Sequence, residues 1–150
     1  MALDRLQFLV GEWLGDGSGQ PGQGTGGFSM RFELGGKVLI RRNRADYPAT
    51  PERPAFSHED LMVTYLDTER DGLRAVYWDN EGHVIHYAVT APAEERAEFV
   101  SDAAAPGPRY RLTYVKTAAN LLSITFEIAP PGRPDAFKTY IQAKARRAGF

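Results

Sequence analysis

Strict alternation of apolar and polar residues is the feature that most narrows what this chain can become. Tyr110, Leu112 and Tyr114 share one parity against Arg109, Arg111 and Thr113, and Leu122, Ile124, Phe126 and Ile128 do the same against Ser123, Thr125 and Glu127. Successive side chains of a strand point to opposite faces, so each segment has one buried face and one wet face. Further strand-like runs lie at Phe28 to Leu34, Phe56 to Asp67, Leu73 to Trp78, Val84 to Thr90 and, more weakly, Arg96 to Asp102, with Ala136 to Arg146 as the last. Turn chemistry separates them: Gly35-Gly36, Asp79-Asn80-Glu81-Gly82 and Pro130-Pro131-Gly132, while Pro48, Pro51 and Pro54 make Tyr47 to Ala55 a surface loop. Roughly ten strands with short connections favour an all-β fold, a closed antiparallel up-and-down barrel, because closure removes the edges an open sheet must protect. A two-sheet sandwich is the alternative. Leu3, Leu6 and Leu9 sit at helical spacing within Ala2 to Val10, so a short N-terminal helix is expected to plug one end.

The 150 residues suit a single domain spanning residues 1–150. With 25% charged residues and a formal net charge of -1, no overall field draws the chain to nucleic acid or an anionic membrane, and neither is expected as a partner. Cysteine is absent, which removes disulfides, thiolate metal sites and a Cys nucleophile. Asp4 and Arg5 interrupt the apolar N-terminus, so it does not read as a signal peptide, and no run reaches the ~18 apolar residues of a membrane helix. A cytoplasmic protein is expected, and a homodimer is left open.

Glycine-rich text invites stronger readings that its context rejects. Gly17 to Gly22 and Gly22 to Gly27 each match a dinucleotide fingerprint, but the segment that follows alternates like a strand where the fingerprint needs a helix. Gly36-Lys37 lacks the first glycine of a P-loop, that position being Arg31, and Gly17-Ser18-Gly19 does not complete a nucleophile elbow. His83 and His86 lie three apart in an extended segment, on opposite faces, so no metal site is expected.

The stretch Gly11-Glu12-Trp13-Leu14-Gly15-Asp16-Gly17-Ser18-Gly19 carries a family likeness. Gly-x-Trp after a short helical turn resembles the opening of the lipocalin and fatty-acid-binding (calycin) barrels, and the longer glycine series is most similar to the nitrobindin family. That resemblance implies a barrel holding haem, with peroxynitrite isomerisation as its activity. It also implies that Trp13 plugs the closed end under a basic side chain of the last strand, with Lys144, Arg146 and Arg147 as candidates. The chain departs from the family after Gly19, where it reads Gln20-Pro21-Gly22, and it has no histidine after His86 to serve as the C-terminal haem ligand.

Candidate site residues follow from parity. If Leu34 faces Lys37 across the Gly35-Gly36 turn, Phe32 pairs with Leu39, Met30 with Arg41 and Phe28 with Asn43. This face is the more apolar and should point inward, taking Arg41 and Asn43 with it; Arg41 then either meets a ligand or finds solvent or an acidic partner. His58 shares a face with Asp60 at a strand end. In the Leu73 to Thr90 hairpin, Tyr77, Ile85 and Tyr87 share one face while Trp78, Val84 and His86 share the other, and bulk alone does not choose between them. Tyr110 and Tyr114 have clear inward parity. Arg41, Asn43, His58, His86, Tyr110 and Tyr114 are therefore the expected ligand-binding residues, with no catalytic residue or cofactor assigned. The leading expectation is binding of a small, mainly hydrophobic molecule with a polar or anionic end inside the barrel. The alternatives are the haem-binding isomerase that the resemblance implies, a cofactor-free isomerase or lyase using an inward His and Tyr, and an interaction domain with a filled barrel.

Overall fold

A computed structural model describes residues 2–15, 25–103 and 106–149. A 3-10 helix, Ala2–Leu9, leads into ten strands: β1 (Gly11–Gly15), β2 (Thr25–Glu33), β3 (Val38–Tyr47), β4 (Phe56–Asp67), β5 (Gly72–Asp79), β6 (Val84–Ala93), β7 (Arg96–Ser101), β8 (Arg109–Ala118), β9 (Leu121–Ala129) and β10 (Lys138–Arg147). Each strand pairs antiparallel with its neighbours in sequence, and β1 pairs with both β2 and β10 to close the barrel. The expected fold class is therefore present.

The expected N-terminal helix is present and is of the 3-10 type. Leu3, Leu6 and Leu9 are all buried, and a repeat of three matches the 3.0 residues per turn of a 3-10 helix, which stacks them along one side. This side closes one end of the barrel against β4 and β5. Beneath it, Trp13 Nε1 donates to the Leu9 carbonyl at 2.9 Å, and the Arg147 guanidinium lies 4.3 Å from the Trp13 ring centroid. Of the three basic candidates, Arg147 is thus the one over the ring. It also donates to the Val10 carbonyl at 2.6 Å and to Asn120 Oδ1 at 3.2 Å.

The β2-β3 register is the one parity predicts: Phe32 opposite Leu39, Met30 opposite Arg41, Phe28 opposite Asn43. Its turn begins one residue earlier than Gly35, because Leu34 also takes a left-handed conformation (φ 54°) and points to solvent. At the other end of β2 the backbones crowd. A Cβ on Gly26 would lie 2.1 Å from the Arg44 carbonyl oxygen, and one on Gly27 2.5 Å from that of Trp13. Gly26→Ala is expected to lower stability by about 1–3 kcal/mol through this forced shift, and a thermal melt matching the wild type would show that β2 can move aside. Of the glycine series, Gly17 and Gly19 lie outside the described residues, as does Gln20 to Gly24 of the expected connection.

The Leu73 to Thr90 hairpin resolves clearly. Leu73, Ala75, Tyr87 and Val89 are buried, Tyr77 and Ile85 are partly buried, and Trp78, Val84 and His86 face outward and are exposed. Bulk did not decide this; charge did. The Trp78 face also carries Arg74, which outside finds Asp102 at 2.7 Å but inside would have stood among apolar residues.

The core runs from the helix through Met30, Leu39, Met62, Phe99, Tyr114 and Leu122. Toward the opposite end the packing thins. Phe99, Leu112, Phe126 and Ile141 are successive partners across β7, β8, β9 and β10 and so share the inner face. Phe99 is fully buried, Leu112 and Phe126 are partly exposed, and Ile141 is 50% exposed. Inward residues that still meet solvent define a cup open at the end away from the helix. Among the described residues no helix is long and apolar enough to cross a membrane.

Candidate binding site in the barrel

Neighbouring strands bring the inner polar groups together. Asn43, Asp60 and Asp79 are successive partners across β3, β4 and β5, with Arg41, Met62 and Tyr77 forming the next row toward the helix. Asp60 is buried and accepts from three donors: Arg41 through Nη1 at its Oδ1, Asn43 Nδ2 at 2.9 Å and His58 Nε2 at 3.0 Å, both at its Oδ2. The Arg41 side chain is only 14% exposed, so this partner is what makes its charge tolerable. Burial works against that charge, and Tyr114 and Asp60 outweigh it, leaving the guanidinium more firmly protonated than usual.

His58 stands between two carboxylates, with Nδ1 2.8 Å from Glu81 Oε1 and Nε2 on Asp60. Both partners are acceptors, so both ring nitrogens carry protons. Burial disfavours the charged ring, but Glu81 and Asp60 overcome it and raise the pKa. A raised folded-state value stabilises the fold fully below the ordinary histidine pKa and progressively less as pH climbs through the raised value. Wild type should therefore lose stability relative to His58→Gln as pH rises from the ordinary histidine range upward; denaturation midpoints that stay parallel through that rise would contradict the arrangement. Tyr77 donates to Asp79 Oδ2 at 2.9 Å, and burial, reinforced by Asp60 and Asp79, keeps its phenol protonated well above the usual range.

Two buried polar atoms have no partner among the described residues: Arg41 Nε and Tyr114 Oη. Their side chains approach the same ring. The Arg41 guanidinium lies 5.1 Å from the Phe28 centroid, and the Tyr114 ring centroid 6.3 Å from it. Burial raises the Tyr114 pKa against the pull of Arg41, so the hydroxyl remains a neutral donor. Buried polar groups are nearly always satisfied, by protein, by ordered water or by a bound ligand, and an exception calls for an explanation.

Of the six expected residues, Arg41, Asn43 and His58 meet at Asp60, and Tyr114 reaches the same interior from β8. Tyr110 lines the open end, stacked on Phe126 at 5.6 Å. His86 lies on the outer surface and takes no part. Asp60, Tyr77, Asp79 and Tyr87 were not among the six. The signal for the hairpin members was Arg74, whose parity opposes theirs; the signal for Asp60 was its shared face with His58.

No protein-family model matches this chain, and neither does any curated protein. The site must be judged on its own chemistry. A haem held by an axial histidine does not fit it: His58 is the inward-facing histidine, and both its nitrogens are engaged by carboxylates, while His83 and His86 are exposed. A second hollow, of about 660 Å³, lies against the outside of β1 to β5, where outward-facing Leu14, Leu61 and Trp78 mix with Glu12, Arg42 and Arg44. Charges of both signs there reach solvent and leave no buried group in need of a ligand.

Proposed function

We propose that this chain binds a small, mainly apolar molecule with a polar end inside the barrel. The observation that carries this reading is the pair of buried, unpartnered atoms, Arg41 Nε and Tyr114 Oη, below an apolar wall still open to solvent. The polar end would go deep, to Arg41 and Tyr114, and the apolar body would lie along Ile85, Leu112, Ile124 and Phe126. Such a division, with mostly apolar walls and a few convergent polar groups, is the usual anatomy of a small-molecule site.

An acid-base enzyme has less support from these residues. His58 has both ring nitrogens against carboxylates and so offers no free lone pair to abstract a proton, and the Asp60 carboxylate is occupied in holding three inward-facing donors in place. Nile red, a neutral apolar dye, supplies the test. Saturable one-site fluorescence enhancement that disappears in a folded Ile124→Trp variant is expected, since an indole there would fill the cup. Enhancement that is unsaturable, or indifferent to Ile124→Trp, would refute binding in the barrel.

A further inference from the structure

We infer that the polar end of the ligand is an uncharged carbonyl, as in a ketone, ester or amide, and not a carboxylate. This inference rests on the barrel-binding reading and deepens it. Its first basis is charge. Among the described residues, the cations that face the interior at this level are Arg41 and His58, while Asp60, Asp79 and Glu81 are the acidic groups in contact with them or with Tyr77. Every positive charge already has a carboxylate against it. A carboxylate ligand entering this layer would lose its water and gain no unpaired cation, and burial of an ionised group without compensation is far more costly than burial of a neutral one.

The second basis is the kind of hydrogen-bonding capacity left over. Arg41 Nε can only donate, and Tyr114 Oη, a neutral phenol, is able to donate as well. Both side chains lie against the Phe28 ring, and one oxygen with two lone pairs is the smallest group that could take both donors. A carbonyl oxygen meets that need and brings no charge, whereas a hydrocarbon would leave both donors unsatisfied. An alcohol supplies an acceptor too, but where it meets Tyr114 two hydroxyl protons share one oxygen-to-oxygen contact, so one of them is left over, whereas a carbonyl brings no proton.

The third basis is depth. Tyr114 is fully buried and sits beside Ala97 and Ile124 on the inner face, one row nearer the helix than Phe99, Leu112 and Phe126. A carbonyl placed there needs an apolar chain or ring system behind it long enough to reach the exposed end at Ile141. Medium-chain ketones meet that description.

Displacement of Nile red by decan-2-one, sodium decanoate and decane at pH 8, on wild type and Tyr114→Phe, tests the inference. Decan-2-one is expected to displace the dye at least tenfold more effectively than decanoate, and Tyr114→Phe to reduce that advantage by about tenfold, the loss of a buried hydrogen bond of ~1.4 kcal/mol. Removing a hydroxyl with no partner should leave the ligand-free fold intact. As a second readout, the carbonyl stretch of carbonyl-labelled decan-2-one bound to wild type should fall below its frequency in hexane and move back up in Tyr114→Phe. If decanoate matches or exceeds the ketone, the carbonyl assignment is wrong and barrel binding stands. If neither the dye nor any of the three compounds binds, both fail.

Discussion

Replacing Asp60 with alanine is expected to destabilise the protein by about 3–5 kcal/mol, among the largest effects of any single substitution. The carboxylate holds Arg41, Asn43 and His58 together, and its side chain is 4% exposed. Its removal leaves a guanidinium in the barrel with no counter-charge. The cost is then the desolvation of a stranded cation, which a surface ion pair never incurs. The double variant Arg41→Met/Asp60→Leu should recover most of the loss, because an apolar pair of similar size has no charge to compensate. Urea unfolding measures both, with unchanged m-values as the check that the denatured state is the same. A loss below about 1 kcal/mol for Asp60→Ala would mean that Arg41 reaches water without its partner.

Trp13→Ala should cost a similar amount, about 3–5 kcal/mol, for a different reason. The indole is 1% exposed, stacks 6.3 Å from Phe28, lies under Arg147 and anchors the helix through the Leu9 carbonyl. Its loss opens a cavity at the junction of β1, β10 and the helix, and removes the bond that fixes the lid. Trp13→Phe keeps part of the volume and the cation-ring contact but not the hydrogen bond, so it should fall between wild type and alanine. Chemical denaturation, with hydrogen exchange of the first ten residues as a local readout, separates the two contributions. If Trp13→Phe proves as damaging as Trp13→Ala, the bond to Leu9 dominates and the cavity matters little.

Much of this architecture was legible because strands announce themselves by parity. The β2-β3 register, the inward Arg41 and Asn43, and the faces of β8 and β9 all follow from a period of two joined to a dependable turn. Trp78 and His86 were ambiguous because two apolar sets of nearly equal bulk occupied the two faces of one hairpin. What separated them was the demand of Arg74 for a partner, found in Asp102, a residue in a different part of the chain. The same limit applies to the site. Arg41 reads as an inward charge from local sequence alone, but its neutralisation by Asp60 is a contact between strands, and that contact is why the proposal narrows the expected polar or anionic end to a neutral one. The helix type was hidden in a similar way: Leu3, Leu6 and Leu9 fit either helix, and packing at the barrel end chose the tighter one.

A high-resolution crystal structure of the protein with decan-2-one soaked at saturating concentration tests the central claim most directly. The account predicts density for the ketone inside the barrel, its oxygen within hydrogen-bond distance of both Arg41 Nε and Tyr114 Oη and its chain against Leu112, Ile124 and Phe126. An interior filled by side chains, with Tyr114 Oη bonded to a protein group and the ketone absent or held on the outer surface, would contradict it.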